Sequence, residues 1–426
     1  MSFAEDNRKA IISYFVSGAK GNEPCGKLGV EVEHFVVDAK TNRAISYQGA
    51  NDEFGVRDIL KYLSSYYPRE TRGLEGELLG LANNDASLSL EPAAQLEISI
   101  APFCSIDDIV SVYTQFKDKA DPFLQEHGCK LVTLGYHPTE KALDLPLIPK
   151  KRYHFMNDYF HSLGTHGERM MRASASTQVS VDYKDEADAI RKMRIAQALV
   201  PIIAVLTDNI ERFEGEVPQK PLSHLVMWRD VDNARCGQIP GLFDKGFGFE
   251  QYADWLLGTC PIFVTRPEAC NPQGQALRSV VGQTASQAYA DAPMEETDIE
   301  HLLSMFWPDV RLKRFVEIRP ADALPLQAVA GYAALIKGIF YSDGSLLGIE
   351  EAFGVVGNDW SLTDSYTNEA AKAIRADGLQ ACICGRSLKD WEELLFETAR
   401  KALSAHDCTY LEGFEAWSKK INYRNL

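Results

Sequence analysis

A regular alternation of acidic and apolar residues in Gly29–Val37 restricts the fold of this chain more than any other stretch. The segment begins with glycine, continues through β-branched residues and ends in the turn-forming sequence Asp38–Asn42, so it predicts a strand followed by a hairpin turn. Strand side chains alternate between two faces, which places Glu31 and Glu33 on one face and His34 on the other. Two neighbouring carboxylates repel each other, and this repulsion is tolerated in solvent or where cations neutralise it.

Three later stretches repeat the alternation, and each predicts a strand with one polar and one apolar face. The polar faces carry Glu97 in 94–100, Arg172 and Gln178 in 171–183, and Arg311, Lys313, Glu317 and Arg319 in 310–319. This patterning favours a largely antiparallel sheet with its apolar face against helices. We therefore predict an α+β fold, and we expect residues 1–426 to form a single domain.

Helical patterns and loops separate the predicted strands. Helices are predicted at 2–17, 105–128, 186–209, 249–257, 326–341, 348–354, 363–376 and 387–405. The stretch 138–168 contains prolines and histidines and predicts an extended loop with a short helix. The polar stretch 266–298 contains glycine and proline and predicts a mobile surface segment.

Charge and hydropathy exclude two classes of partner. The net charge of -16 over 426 residues argues against a nucleic-acid partner, because phosphate binding requires a basic surface. The longest apolar run, 328–341, is interrupted by Gly331 and Lys337 and is too short to cross a bilayer. We therefore expect neither nucleic acid nor a membrane as a partner, and the N-terminus shows no secretory signal.

The cysteine and histidine spacings indicate neither disulfides nor zinc. Nine cysteines lie mostly far apart in sequence, with Cys382 and Cys384 as the close pair, which predicts a reduced protein in the cytoplasm. No Cys/His ligand spacing suits zinc. The loosely spaced His154, His161 and His166 are interpreted as structural residues.

If the four predicted strands are neighbours, their acidic and amide side chains converge on one sheet surface. Several carboxylates in one confined site cannot all be ionised without cations, and hard oxygen ligands suit Mg²⁺ or Mn²⁺. Cations beside them (Arg172, Arg235, Lys313 and Arg319) would hold anionic substrates, an arrangement expected for phosphoryl transfer. No Walker-type loop is present, so a nucleotide would bind on the sheet. The alternative is that each strand is simply an amphipathic surface strand.

The chain resembles the glutamate–cysteine ligases, particularly the plant-type class that many bacteria share, including the related ligases of ergothioneine synthesis. The resemblance rests on GVEVEHF at 29–35, SLEPAAQLEISIAP at 89–102, LIPKKRYHFMNDY at 147–159, MMRASASTQVSVD at 170–182, EADAIRKMR at 186–194, GFGFEQY at 246–252 and WPDVRLKRFVEIRPAD at 307–322. It implies a fold like the catalytic domain of glutamine synthetase: a curved, mainly antiparallel sheet funnel with outer helices. The matching core would span about 28–340, with a helical C-terminal part at about 341–426.

The resemblance also implies roles for particular residues. The implied metal ligands for Mg²⁺ are Glu31, Glu33, Glu97, Gln178 and Glu317; the implied catalytic residues are Glu317 and Arg319; the implied ATP contacts are Arg311, Lys313, Arg314 and Arg319; and the implied substrate contacts are Arg235 and Arg172. One departure stands out, because the family's Arg-Gly-Ala-Asp is Arg319-Pro320-Ala321-Asp322 here. Proline donates no backbone hydrogen bond and restricts the preceding arginine to extended conformations.

The implied activity is the ATP- and Mg²⁺-dependent joining of the glutamate γ-carboxylate to the amine of cysteine through γ-glutamyl phosphate. The product, γ-glutamylcysteine, would belong to glutathione or ergothioneine biosynthesis. Two alternatives remain open from the sequence. The first is the same chemistry with another amine acceptor, since small changes in a pocket alter acceptor choice. The second is a non-catalytic binding protein built on the same scaffold.

Overall fold

The computed structural model describes residues 3–24, 26–49, 53–73, 75–268, 271–280, 282–357 and 359–425. Its strands, in chain order, are β1 (Leu28–Asp38), β2 (Arg69–Arg72), β3 (Leu78–Ala82), β4 (Ala86–Leu90), β5 (Leu96–Phe103), β6 (Cys129–Val132), β7 (Ser176–Val181), β8 (Cys236–Gly237), β9 (Phe263–Glu268), β10 (Asn271–Ser279), β11 (Trp307–Pro308), β12 (Val310–Leu312), β13 (Val316–Asp322), β14 (Cys382–Ile383) and β15 (Arg386–Ser387).

Its α-helices are α1 (Ala4–Val16), α2 (Val56–Leu63), α3 (Ile106–Glu126), α4 (Lys151–Leu163), α5 (Gly167–Ala173), α6 (Glu186–Leu206), α7 (Ser223–Trp228), α8 (Phe249–Gly258), α9 (Ala285–Ala288), α10 (Glu296–Leu303), α11 (Leu326–Phe340), α12 (Asp343–Ala352), α13 (Tyr366–Asp377), α14 (Leu388–Ala402) and α15 (Ala405–Asn425). Short 3₁₀ turns lie at Ala142–Asp144 and Gly378–Gln380. Within the described ranges, no helix is both long and apolar enough to cross a membrane.

A sheet of nine strands organises the described part of the chain. Its order is β12-β13-β7-β1-β5-β4-β3-β2, with β6 pairing the far end of β1, and its neighbouring strands are antiparallel. The four sequence-predicted polar strands are neighbours here, as the convergence of their side chains requires. This mixed architecture confirms the predicted α+β class.

Strand β1 lies at the centre of the sheet because its two faces differ in polarity. Leu28, Val30 and Val32 are fully buried on the apolar face, against which α3 and α11 pack. His34 belongs to that face: its ring nitrogens lie 3.0 Å from the Leu96 carbonyl and 2.6 Å from the Tyr113 hydroxyl. The histidine is therefore a satisfied core residue.

Helix starts follow local capping signals that the sequence shows. Ser105 accepts a hydrogen bond from the Asp107 N–H at 3.1 Å, and α3 begins at Ile106, directly after Ser105. Ser387 caps α14 in the same way through the Asp390 N–H at 3.1 Å. A side-chain oxygen at such a position satisfies a backbone donor that has no partner inside the helix.

The predicted strand 310–319 is in fact a hairpin. β12 and β13 pair antiparallel with Arg311 opposite Glu317, and the Lys313 N–H closes the turn on the Phe315 carbonyl at 2.8 Å. A period-2 pattern does not distinguish one strand from two strands joined by a tight turn. Pro320 lies within an irregularity of the β13–β7 pairing, between Ile318 and Ala321, where a residue without an N–H is tolerated.

The predicted strand 171–183 is also wrong in its first part, because α5 ends at Ala173 and β7 begins only at Ser176. The buried Gln95 amide donates to the carbonyls of Met171, Arg172 and Ser174 at 3.3, 3.2 and 3.1 Å. These carbonyls at the end of α5 would otherwise lack a partner. A tertiary contact therefore stabilises a helix end where local alternation predicted strand.

Two predicted irregular segments contain regular structure. The stretch 138–168 holds the 13-residue helix α4, and the stretch 266–298 holds most of the β9–β10 pair, α9 and the start of α10. Strand β3 lies in a stretch for which the sequence pattern predicted no strand. Each of these elements packs against or pairs with another element of the chain, and amino-acid composition does not reveal such contacts.

Candidate active site

The polar face of the sheet brings together most of the residues that the sequence singled out. Glu31 lies opposite Gln178 on β7 and opposite Ser99 on β5, and Glu33 lies opposite Glu97. A cavity of about 520 Å³ covers this face. Of the predicted site residues, the cavity is lined by Glu31, Glu33, Glu97, Gln178, Arg311, Lys313 and Arg319.

Short hydrogen bonds fix two of the carboxylates. Glu33 accepts from the Ser176 N–H at 2.8 Å and from the Ser176 hydroxyl at 3.0 Å. The Glu97 Oε1 atom accepts from Ser89 at 2.9 Å and from Ser99 at 2.8 Å. Hydroxyl donors hold a carboxylate in place without neutralising its charge. Glu31, Glu33 and Glu97 thus form an acidic floor of the cavity that can bind a cation.

Burial and mutual repulsion raise the pKa values of the carboxyl groups on this face. Desolvation, followed by the charges of Glu97 and Glu317, raises the pKa of Glu31 to about 7. Desolvation followed by neighbouring carboxylates raises the pKa of Glu33 well above its ordinary value, and that of Glu97 is also raised. A bound cation would offset the desolvation and the repulsion and would favour the ionised forms of these acids.

Glu317 differs from the other acids because it is fully buried beneath three cations. Arg311 forms a fork on it, with Nε 2.6 Å from Oε2 and Nη2 3.0 Å from Oε1. Lys313 Nζ lies 3.2 Å from Oε1 and Arg319 Nη1 lies 3.0 Å from Oε2. Burial alone would raise the pKa of Glu317, but these three charges together hold it well below its ordinary value.

Arg319 links this cationic cluster to the acidic floor. Its Nη1 atom also donates to the Gln178 Oε1 atom, and Gln178 in turn donates to Glu33 at 3.3 Å. Acidic and basic side chains are thus connected across β13, β7 and β1. Such an arrangement is typical of a site that handles both a cation and an oxyanion.

The sequence reading missed several residues of the cavity. Glu91, Lys150, Arg152 and Tyr153 all line it, and desolvation raises the pKa of Glu91. Glu91 is in the ligase-like segment 89–102 and the other three are in 147–159, so the motifs contained the signal. They were overlooked because they lie outside the period-2 strand pattern.

A buried hydrogen-bonded chain ends at the cavity wall. The Trp228 indole N–H donates to His224 Nε2 at 2.6 Å, and His224 Nδ1 lies 2.5 Å from Asp322 Oδ1. Since Nε2 accepts, Nδ1 carries the proton that binds the carboxylate. Trp228 and His224 both line the cavity, so this chain fixes an aromatic wall of the site.

Arg235, predicted as a substrate contact, does not line the cavity. Its side chain is 1% exposed, and its Nε donates to Asp232 Oδ2 at 2.6 Å. The guanidinium also contacts the Tyr159 hydroxyl at 3.3 Å and the Cys260 carbonyl. Asp232, three residues earlier, binds the charge, so Arg235 joins loops in the interior.

Two further predicted contacts also lie elsewhere. Arg172, near the end of α5, donates to the Leu145 carbonyl at 3.0 Å and to Asn157, and it does not line the cavity. Arg314 forms a fork on Glu296 and lies over the Tyr14 ring at 4.5 Å, at the surface tip of the β12–β13 hairpin. A hairpin turn reverses the chain there, so Arg314 points away from its neighbours on the strands.

The donor chemistry suits a hard divalent cation, but the ligands are not preassembled. Within the described ranges, no three His, Cys, Asp or Glu side chains are grouped closely enough to hold a metal ion. Glu31, Glu33 and Glu97 supply carboxylate oxygens with raised pKa values, whereas the oxygens of Glu317 already bind three cations. The fit therefore rests on the type of donor.

Acids and guanidinium groups that meet over one cavity suit a site that neutralises phosphate charge during phosphoryl transfer. Comparison with known proteins agrees. A family model described as glutamate-cysteine ligase family 2 matches residues 27–413. The chain belongs to this glutamate–cysteine ligase family, which confirms the resemblance and the enzyme class inferred from the motifs.

Curated relatives extend over nearly the whole chain. Glutamate–cysteine ligase B of Oryza sativa subsp. japonica is 30% identical over 405 residues, covering 93% of this chain and 77% of that protein. The tobacco enzyme, from Nicotiana tabacum, is 31% identical and the alignment covers 86% of this chain and 67% of its own length. A solved glutamate–cysteine ligase from Francisella tularensis, in complex with AMP, has a TM-score of 0.56 at 13% identity, covers 94% of this chain and 83% of its own, and supports the fold.

The expected cytoplasmic location is contradicted by these relatives. The matching ligases of rice, tobacco and Arabidopsis thaliana are named chloroplastic, and no relative named here is described as cytoplasmic. The seven cysteines in the described ranges are all free. Cysteine spacing alone does not specify a compartment, so it was too coarse a guide to location.

Proposed function

We propose that this protein joins the γ-carboxylate of L-glutamate to the amine of L-cysteine with ATP, giving γ-glutamylcysteine, ADP and phosphate. The observation that carries the proposal is one cavity in which an acidic floor adjoins the cluster of Arg311, Lys313 and Arg319. Family membership over 27–413 supplies the substrate class. The continuous apolar core from Ile11 to Phe414 supports a single catalytic domain over residues 1–426.

In this proposal the reaction has two steps, phosphorylation of glutamate and then attack by the amine. A γ-carboxylate oxygen of glutamate attacks the γ-phosphorus of ATP, and the bond to the β-phosphate oxygen breaks, leaving ADP and γ-glutamyl phosphate. The amine of the acceptor then attacks the acyl carbon, phosphate leaves with the bonding electrons, and the amine loses one proton. Neither step needs a nucleophilic side chain, so the protein contributes position and charge.

The cationic cluster is suited to the transferring phosphate. Arg319 and Lys313 line the cavity while bound to Glu317, which holds their charged ends in place. Fixed donors of this kind stabilise charge that develops on phosphate oxygens. We therefore propose Arg319 and Lys313 as phosphate contacts and Glu317 as the residue that orients them.

Mg²⁺ would be held by Glu31, Glu33 and Glu97 with Gln178, and it would supply neutralisation of phosphate charge. If Glu317 were also to coordinate Mg²⁺, one of the three cations bound to it would have to move away. Glu91 adds a further carboxylate beside this set. The raised pKa values of these acids support the assignment, because a divalent cation would favour their ionised forms.

The test is phosphate release from ATP with Mg²⁺ and glutamate, across acceptors that include cysteine. Release that depends on both amino acids, with γ-glutamylcysteine found by mass, is the expected result. Glutamate-dependent release with a different acceptor would retain the mechanism but overturn cysteine as the substrate. No release with any acceptor would overturn the enzymatic proposal and favour a binding protein.

A further inference from the structure

A second polar depression lies in the helical C-terminal part of the chain. It has a volume of about 530 Å³ and runs between α12 and α14, and we call it the α12–α14 groove. None of the residues that line it also lines the active-site cavity. Whatever binds in this groove is therefore held by a set of side chains separate from those of the proposed ligation.

The two helices of the groove run in opposite directions. Phe353, directly after α12, stacks on Trp391 in the first turn of α14, with ring centres 4.3 Å apart. Gly338, near the end of α11, lies so close to the second half of α14 that an added Cβ atom would be 2.7 Å from the Ala399 Cα atom. The first turn of α12 consequently lies beside the last turn of α14.

This end of the groove is positively charged. Arg400 on α14 binds Glu415 at 2.8 Å, whereas the next residue, Lys401, lines the groove and forms no ion pair with any residue that the structure describes. The positive end of the α12 dipole lies at the same place. Asp343, the acidic residue in the first turn of α12, lies 3.8 Å from Arg191 and does not line the groove, so its carboxylate leaves this charge in place.

Two nearly buried hydroxyl groups at this end provide an independent sign of a ligand. Ser345 is 5% exposed and Thr398 is 9% exposed, and both residues line the groove. The Ser345 N–H is bound by the Ser342 side chain at 3.2 Å, but neither the Ser345 nor the Thr398 hydroxyl has a hydrogen-bond partner within the described ranges. Hydroxyl groups buried to this extent usually have a partner, and a molecule in the groove would supply one.

Gly348 keeps the middle of the groove open. It lies inside α12, where glycine is less favourable than alanine. A Cβ atom built on Gly348 would meet no atom within 4 Å, so close packing does not require the glycine. The space that its missing side chain leaves lies along the groove, one turn of helix beyond Ser345.

We propose that the α12–α14 groove binds a small metabolite through an oxyanion group, held by the Ser345 hydroxyl, Lys401 and the free N–H groups in the first turn of α12. The first N–H groups of a helix have no partner inside it, and they bind anions together with the helix dipole. Carboxylate and phosphate groups both present this chemistry. Glu351 and Arg386 line the same groove and give the remainder of such a ligand a partner of either charge.

Calorimetric titration of the full chain with inorganic phosphate and with succinate tests the proposal, at an ionic strength kept constant with sodium chloride. Phosphate also has a proposed site in the active-site cavity, so a variant must separate the two. Gly348→Leu places a side chain in the groove, and Gly413→Leu, at an exposed position of α15 that also has no atom within 4 Å, is its matched control. The affinity for the bound anion should fall at least tenfold in Gly348→Leu and stay constant in Gly413→Leu.

Single side-chain variants test the proposed contacts. Lys401→Met should weaken binding about tenfold and Ser345→Ala about threefold, because a charged hydrogen bond contributes more than a neutral one. Lys401→Arg should retain most of the affinity, and Lys372→Met, at an exposed position of α13, is the control for loss of one positive charge. An effect on phosphate alone assigns the groove to a phosphate group, and an effect on succinate alone assigns it to a carboxylate. Equal affinities of wild type and Gly348→Leu for both anions would overturn the proposal.

The melting temperature shows whether the groove is open in the folded protein. Ligand-free Gly348→Leu should melt at or above the temperature of wild type, because leucine favours a helix more than glycine does and has space here. A clear fall in melting temperature would mean that other parts of the chain fill the groove, and it would overturn the proposal. None of these measurements depends on turnover, so a failure of the ligase proposal would leave their outcome unchanged.

Discussion

Replacing Glu317 with glutamine should destabilise the protein strongly as well as inactivate it. The carboxylate is fully buried and contacts three cations, with nitrogen–oxygen distances from 2.6 to 3.2 Å. Glutamine keeps the size of the side chain but removes the charge, so Arg311, Lys313 and Arg319 repel one another without compensation. Breaking a buried ion pair by removing one partner lowers the free energy of unfolding by about 3–5 kcal/mol.

Urea unfolding of the substrate-free protein near neutral pH measures this loss. Glu350→Gln is the matched control, because Glu350 is 8% exposed and forms a fork with Arg191 at 2.9 and 2.7 Å, away from the cavity. Because Arg191 is 26% exposed, the control should lose about 1–2 kcal/mol and keep its activity. Adding Lys313→Met to Glu317→Gln should restore about 1 kcal/mol, since one uncompensated cation is removed.

The pH dependence supplies an independent check. The cations hold the pKa of Glu317 well below its ordinary value of 4.5, so its stabilising contribution is present above 4.5 and is lost as pH falls through the lower folded value. The difference in unfolding free energy between wild type and Glu317→Gln should therefore be constant near neutrality and shrink in acid. A loss for Glu317→Gln no larger than that of Glu350→Gln would refute this reasoning.

Three other perturbations test the remaining features of the site. Because the pKa of Glu31 is raised from 4.5 to about 7, the metal-free protein should lose stability as pH rises through that window, and Mg²⁺ should raise the melting temperature more at about pH 8 than at about pH 5.5. His224→Phe leaves the Trp228 indole N–H without its hydrogen-bond partner, so the free energy of unfolding in urea should fall by about 1–3 kcal/mol. The KM of the amine substrate should rise, and His224→Gln should restore part of both losses. A KM equal to that of wild type would exclude Trp228 as a wall of the site. Arg235→Met leaves Asp232 uncompensated and should lower the unfolding free energy by about 3 kcal/mol without a selective rise in glutamate KM, and a selective rise would return Arg235 to the substrate.

The polar face of the sheet followed from the sequence because it depends on near neighbours. Glu31 and Glu33 share a face through the two-residue period of a strand, and the same rule placed Gln178 correctly on β7. Helix caps at Ser105 and Ser387 are equally local. These features are fixed by backbone geometry over a few residues, so a pattern in the chain is sufficient to find them.

The charges that complete the site depended on contacts between distant segments. The Arg311–Glu317 pair exists because a turn folds β12 onto β13, and Asp232 draws Arg235 into the interior. Lys150 and Arg152 reach the cavity because α4 begins at its wall, far in sequence from β1. Local sequence determined the residues available to each element, whereas tertiary packing decided which of their charges are paired with an opposite charge.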